Sequence, residues 1–235
     1  MDKTLIIAEK PSVAVDISRA LGGFTREGDY FESDRYVLAS SIGHLLGLVA
    51  PNDPVRGKWS FTHLPVIPPQ FELNPTDKKS TERLKLLVKL IKRKDVTAVI
   101  NACDAGREGE LIFRLIVQYA ADSTATTRAK GLGKDVQRLW LQSMTPAAIR
   151  DGFEALRTDE QMMPLASAAR CRSEADWLVG INGTRAMTAF NSRDGGFFLT
   201  TVGRVQTPTL SIVVEREEKI RKHVFRDYWE VRGTF

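Results

Sequence analysis

The first 145 residues set short apolar runs between longer stretches with helical periodicity. Leu5, Ile6, Ile7 and Ala8 are continuously apolar, and Val96 to Ile100 is a mostly apolar run. Both runs are too short for a buried helix and read as buried strands, Thr4–Ala8 and Val96–Ile100. Tyr36–Ser40 and Val136–Leu141 read as two more strands, the former leading into Ile42-Gly43-His44-Leu45-Leu46. Between the strands the apolar spacing lengthens to three and four residues. Helices are predicted over Val13–Leu21, Thr81–Lys94 and Glu108–Ala120. In the second of these Leu84, Leu87, Val88 and Ile91 share one face, while Lys85, Lys89 and Lys92 form a solvated row. Strands alternating with helices predict an α/β domain with a parallel, doubly wound sheet. Pro51, Pro54, Pro65, Pro68, Pro69 and Pro75 make residues 50–80 an irregular excursion. The polar stretch Asp122–Asp135 reads as a loop.

The pattern changes near Thr145. Thr145-Pro146 is an N-cap followed by proline at the first helical position. A long helix is predicted from Pro164 to about Phe190, then a loop at Asp194-Gly195-Gly196, then a helix over Val205–Lys222. Three segments follow from this reading: 1–144, an α/β domain; 145–222, a helical domain; 223–235, the opening strand of a β domain. That strand, beginning at Tyr228, has no visible partner in the sequence. Unpaired strand backbone is costly, so the chain is expected to be the amino-terminal piece of a longer protein.

Chemistry enters at the ends of the two apolar runs. Val96–Ile100 leads to Asp104-Ala105-Gly106-Arg107-Glu108-Gly109-Glu110, and Leu5–Ala8 leads to Glu9-Lys10-Pro11-Ser12. Parallel strands bring their carboxyl ends to one edge, so Glu9 is expected to meet Asp104 and Glu108 there. Carboxylates without a Cys/His cluster suit Mg²⁺ rather than Zn²⁺. The plainer alternative is that the acids cap and solvate a helix start. Glu110, two residues beyond Glu108, is expected to be a solvated helix residue.

Composition narrows the field only modestly. Lys and Arg total 34 against 29 Asp and Glu, a net charge of +5, and the pI is near 9.3. Such an excess permits nucleic-acid binding without establishing it. Cys103 and Cys171 have no metal or redox spacing and read as reduced thiols. Met1-Asp2-Lys3 runs straight into a strand, and no apolar run approaches the ~18 residues a membrane span needs. A cytoplasmic protein, associated with the nucleoid, is expected.

Four motifs in order resemble the type IA DNA topoisomerases, in particular the bacterial topoisomerase III branch. Ile7-Ala8-Glu9-Lys10-Pro11-Ser12 is similar to the opening of that family's Toprim domain, and Ser41-Ile42-Gly43-His44-Leu45-Leu46 to the segment after it. Asp104 to Glu110 is similar to the acidic Toprim motif. Arg172 to Asn182, Thr184-Arg185-Ala186 and Val202 to Leu210 are similar to the DNA-binding helical domain that follows. The resemblance covers essentially the whole chain. It implies a Rossmann-like Toprim domain with a parallel sheet, followed by a mostly α-helical segment and the start of a β domain.

It also implies a reaction. A tyrosine hydroxyl cuts one DNA strand, the enzyme holds a 5′-phosphotyrosine, another strand passes, and the break is resealed without ATP. Glu9 and Lys10 match the catalytic positions; Glu9, Asp104 and Glu108 match the Mg²⁺ site. Two departures stand out. The family pattern Asp-x-Asp-x-Glu has Gly106 at its second acid, which argues for a weaker site or a single metal. Tyr30, Tyr36, Tyr119 and Tyr228 are the only tyrosines and none is followed by Pro-Arg, the nucleophile's setting. This chain alone is expected to be inactive.

Arg170, Arg172, Arg185, Arg204 and Gln206 are candidate contacts to a single DNA strand, within supercoiled or catenated DNA. The alternative for each arginine is an ordinary salt bridge, with Glu174 and Asp176 at hand. Trp177 reads as a packed aromatic rather than a base-stacking platform, and His44 as either a phosphate neighbour or a structural group. The family resemblance implies a monomer. Two other readings remain open: a self-contained Toprim primase or nuclease, and a non-catalytic single-strand-binding module.

Overall fold

The run Leu5-Ile6-Ile7-Ala8 lies at the centre of the main sheet, which explains its unbroken apolarity. In the computed structural model, which describes residues 2–49, 59–121 and 133–235, strand β1 (Lys3–Ala8) pairs in parallel with β4 (Tyr36–Ser40) on one side and β7 (Val96–Ala102) on the other. β8 (Asp135–Arg138) adds in parallel beyond β7. The edges turn antiparallel: a hairpin of β2 (Thr25–Glu27) and β3 (Tyr30–Glu32) closes one side, and β9 (Arg157–Thr158) the other. The seven strands run β2-β3-β4-β1-β7-β8-β9.

Alternate residues of β1 face opposite layers. Leu5 and Ile7 join Val99, Leu87 and Phe113 in the core under α2 (Lys78–Ile91) and α3 (Arg107–Ala120). Ile6 and Ala8 join Leu38, Ile100, Ile17 and Ile149 under α1 (Pro11–Leu21) and α4 (Pro146–Glu154). A strand covered on both faces has no polar side. The doubly wound α/β expectation therefore holds. A separate two-stranded antiparallel sheet joins β5 (Leu46–Val49) to β6 (Glu72–Pro75), so part of the proline-rich stretch is regular after all; residues 50–58 lie outside the described ones, as do 122–132 of the expected loop.

Helix starts follow local chemistry. The Asp77 carboxylate accepts from Ser80 N–H at 2.7 Å, so α2 opens at Lys78, earlier than its apolar stripe suggests. Thr145 caps α4 by accepting from Ala148 N–H. Helix α5 (Asp159–Asn191) starts five residues before Pro164. Its signal is Thr158-x-x-Gln161, a reciprocal capping box: Thr158 N–H donates to Gln161 Oε1 at 3.0 Å and Gln161 N–H to Thr158 Oγ1 at 3.3 Å.

Two compact units divide the chain: residues 1–54 with 67–175, and residues 55–66 with 176–235. The second contains the end of α5, a return segment, and α6 (Gln206–Arg221). Asn182 grips Val66 by both backbone groups, accepting from its N–H at 2.5 Å and donating to its carbonyl at 2.9 Å. The return segment is zipped to the helix by hydroxyls: Phe198, Thr200 and Val202 N–H donate to Ser192, Thr188 and Thr184, at 2.9, 3.0 and 3.0 Å. Four helical residues rise ~6 Å, and two extended residues span ~6.6 Å, so the two spacings match. α6 has no buried residue, and residues 222–235 carry neither helix nor strand. The strand expected from Tyr228 has no hydrogen-bonded partner among the described residues.

Candidate active site

The carboxyl ends of β1 and β7 meet at one edge, as parallel pairing with Ala8 opposite Ala102 requires. The backbone of Glu9 is held from the β4 side: Ser41 N–H donates to Ala8 O at 2.8 Å, Gly43 N–H to Glu9 O at 3.0 Å, and Ser41 Oγ to Glu9 O at 3.2 Å. Between the two amides lies Ile42, with φ of 65° and a side chain that is 57% exposed. A β-branched residue in the left-handed region is strained, and such strain concentrates where a loop must aim neighbouring groups.

Glu9 reaches across to the β7 end. Its Oε2 accepts from Asp104 N–H at 3.3 Å. Lys10 Nζ lies 2.6 Å from Asp104 Oδ2 and 3.9 Å from Glu9 Oε1. Hydrogen bonding and charge from Asp104, with a further contribution from Glu9, raise the Lys10 pKa above its ordinary value. His44 Nε2 stands 2.5 Å from Glu108 Oε1. The structure thus brings Glu9, Lys10 and Asp104 together, and places Glu108 against His44.

Below this rim the same acidic segment is dry. Glu110 is fully buried, which overturns its reading as a solvated residue. Arg114 Nε donates to its Oε1 at 2.8 Å and Asn101 Nδ2 to its Oε2 at 3.0 Å. Arg138 Nε is 3.4 Å from Oε2, an ionic contact without hydrogen-bond geometry. Arg114 also pairs with Asp159 at 2.6 Å. Arg138 then ties this layer to the rim. Its Nη1 donates to Asn101 O, Asn101 Oδ1 and Cys103 O at 3.0, 2.9 and 2.7 Å, and its Nη2 to Asp104 O at 2.7 Å. Burial pulls the Arg138 pKa down, and Glu110 opposes that pull. The backbone carbonyls of the β7–α3 turn point inward to one guanidinium while the Asp104 side chain faces out.

Gly109 lets the helix approach this turn. A Cβ there would meet Asp104 O at 2.2 Å, whereas one at Gly106 would meet nothing within 4 Å. The first glycine is required by contact; the second is not. Cys103 is buried and Cys171 exposed, both as free thiols; burial pushes the Cys103 thiol far up.

Oxygen-only donors on Glu9, Asp104 and Glu108 fit a hard divalent cation. Among the described residues, however, no three His, Cys, Asp or Glu side chains are gathered into a metal-holding group. Each exposed carboxylate here has a basic partner instead.

The expected DNA contacts divide by environment. Arg170 Nε donates to Glu174 at 2.7 Å, the plain salt bridge. Arg172 is exposed. In the second unit Arg185 is buried, its guanidinium 5.8 Å from the Trp59 ring centroid. Arg204 Nη1 donates to Asp176 at 2.8 Å from an exposed position, and Gln206 opens α6 with an exposed side chain. Trp177 is half-buried. No helix among the described residues is long and apolar enough to cross a membrane.

The Toprim domain family matches residues 4–139, and a DNA topoisomerase family matches residues 160–235. The chain is 41% identical to a DNA topoisomerase 3 of Shouchella clausii over 97% of its own length and 29% of that protein's. It is 38% identical to a DNA topoisomerase 3 of Bacillus subtilis over 100% and 30%, and 37% identical to one of Bacillus cereus over 99% and 30%. The chain therefore spans about three tenths of the length of these curated relatives. The carboxylate edge at the ends of β1 and β7 lies inside the first match, and the hydroxyl zipper between α5 and the return segment inside the second: the chain belongs to the Toprim family, with residues 160–235 similar to a DNA topoisomerase family.

Proposed function

We propose that this chain supplies the Toprim half of the cleavage site, and part of the DNA-binding surface, of a type IA topoisomerase of the topoisomerase 3 kind. The single observation that carries this is the Glu9–Lys10–Asp104 constellation, two acids and an ammonium within 4 Å at a strand-end edge. The full reaction is cleavage of one DNA strand through a 5′-phosphotyrosine, strand passage and resealing, without ATP. The attacking tyrosine comes from protein beyond this chain, whose own Tyr30, Tyr36, Tyr119 and Tyr228 lie in no Tyr-Pro-Arg setting. The bare apolar residues of α6, among them Leu210, Ile212 and Ile220, support further protein packing there.

Lys10 acts first as a charge. With its pKa raised by Asp104 it stays protonated, and the developing negative charge on a phosphoryl group favours it electrostatically. When a phosphate draws Lys10 away from Asp104, the protonated ammonium stands beside the leaving oxygen and can pass its proton to it. Glu9, held by the Asp104 N–H and the β4 turn, is placed beside the same phosphate. A bound Mg²⁺ would supply charge neutralisation at the phosphoryl oxygens. Glu9, Asp104 and Glu108 would hold it, and the glycine at 106 argues for one ion rather than two. Arg170, Arg172, Arg185, Arg204 and Gln206 are proposed to line the path of a single strand, with Arg170 and Arg204 exchanging carboxylate for phosphate. The segments 1–144, 145–222 and 223–235 are proposed as Toprim domain, helical DNA-binding domain and the beginning of a β domain. A monomer working in the cytoplasm on the nucleoid completes the reading.

The test uses the full-length gene product. Lys10→Ala and Glu9→Ala should each slow relaxation of negatively supercoiled plasmid by about 100-fold or more, with single-strand affinity within about threefold of wild type. A covalent DNA adduct on any of the four tyrosines here, or Mg²⁺-dependent nicking or primer synthesis by this chain alone, would overturn it.

A further inference from the structure

We propose that the cleft behind the Ser40–Ile42 turn is a second phosphoryl-binding site, taking a phosphate group carried by a DNA strand or by a free nucleotide. The cleft measures about 230 Å³ and lies between α1, the β2–β3 hairpin and the side chain of Arg83. Arg83 projects from α2 and is half-buried. Its Nε donates to Ser40 O at 2.6 Å, its Nη2 to Ser40 Oγ at 3.2 Å, and its Nη1 to Asp29 O at 3.2 Å. All three acceptors are uncharged, and Arg83 forms no ion pair with any described residue. A guanidinium has five N–H donors, so two remain for a ligand.

Arg26 lines the same cleft, and its Nε donates only to Gly28 O at 3.1 Å. Two guanidinium groups thus face one cavity whose single lining carboxylate, that of Asp29, is exposed. A partly desolvated cation without a counter-ion costs free energy, and burial indeed pulls the Arg83 pKa below its ordinary value, with only Asp29 opposing. A phosphate answers that cost, since guanidinium binds it bidentately. The remaining wall is apolar, from Val15, Phe31 and Leu38, and suits a sugar or base attached to the phosphate.

The position matters because Ser40 and Ile42 form the wall. The turn between and beyond them carries the Ser41 and Gly43 amides that hold the Ala8 and Glu9 carbonyls. A ligand in the cleft therefore touches the strained segment that fixes Glu9. The site stands on these contacts whatever reaction the Glu9–Asp104 edge performs.

The experiment is an NMR titration of this chain with thymidine 5′-monophosphate, inorganic phosphate and a short oligothymidylate. It follows the Arg83 Nε–H and the Ile42 amide. Both signals should shift saturably, and should do so equally in Lys10→Ala, which removes the cation of the other edge. Arg83→Gln should weaken binding by about tenfold or more. Val15→Trp should do the same by filling the cleft while leaving Arg83 in its bonds. Tighter binding of the oligothymidylate at the same signals identifies a DNA strand as the ligand; response to the mononucleotide alone identifies a free nucleotide. Undiminished affinity in Val15→Trp, or loss of the shifts in Lys10→Ala, overturns the proposal.

Discussion

Glu108 and Glu110 leave the first turn of α3 in opposite directions. The side chain of Glu108 is 63% exposed and meets His44 at the rim. Glu110 has no exposure and is locked between Arg114, Asn101 and Arg138. The rim and the layer beneath it are built from the same acidic segment, yet they work on different principles. At the rim Lys10, Asp104 and Glu108 have side chains about half or more open to water, so their partners exchange at small cost. In the dry layer each charge is bound several times over, and the loss of any one strands the rest. A site that must release and regain phosphate needs the first kind of environment. The turn that aims it needs the second.

The largest break in this comparison is Glu110→Ala, which leaves Arg114 and Arg138 buried beside a missing anion. It should cost about 3–5 kcal/mol, read as a lower denaturant midpoint, while Glu110→Gln, still able to accept from Asn101, should cost less. Gly109→Ala comes next. The added methyl must displace the Asp104 backbone, and a cost of about 2 kcal/mol is expected, together with altered amide shifts at Asp104. The smallest effect on folding belongs to the rim. Asp104→Asn should leave the unfolding midpoint in place but let the Lys10 pKa fall back toward 10.5, measured by titration of its side-chain NMR signals. The sign follows from the pair: Asp104 favours the charged ammonium, so its removal lowers the pKa. Stability from the pair is present below the unfolded pKa and is lost as pH rises through the folded one. A midpoint shift in Asp104→Asn as large as that of Glu110→Ala would erase the distinction between rim and layer.

The strands that matter most were legible because double burial leaves a plain mark. Leu5–Ala8 faces nothing but protein, and Val99 to Ala102 do the same; parallel pairing then carried Glu9 to Asp104. Glu110 was misread because Arg114, four residues on in α3, is its only partner within the helix; Asn101 comes from β7 and Arg138 from β8, and no local pattern announces a buried carboxylate. Arg138 escaped for the same reason, although it sits on the strand predicted there, at an inward position two residues from buried Val136. The β2–β3 hairpin was hidden by polar residues. Its signal was Gly28-Asp29, a two-residue turn between Thr25–Glu27 and Tyr30–Glu32, with Gly28 at φ of 63°. The hydroxyl zipper had a trace as well, in the four-residue spacing of Thr184, Thr188 and Ser192, but such a spacing gains meaning only when an extended segment lies alongside.

The centre of the sheet is also made early. Ribosomes add about 5–20 residues per second, and Ala8 precedes its partner Ala102 by some ninety residues. For roughly 5–20 s of synthesis, the most apolar strand of the protein waits with one side unpaired. β4 arrives sooner and covers the other side, so a half-built sheet with a sticky inner edge is the species that chaperones would meet. Slower translation through residues 41–95 would lengthen that exposure, and misassembly would rise with it even though the finished fold is unchanged.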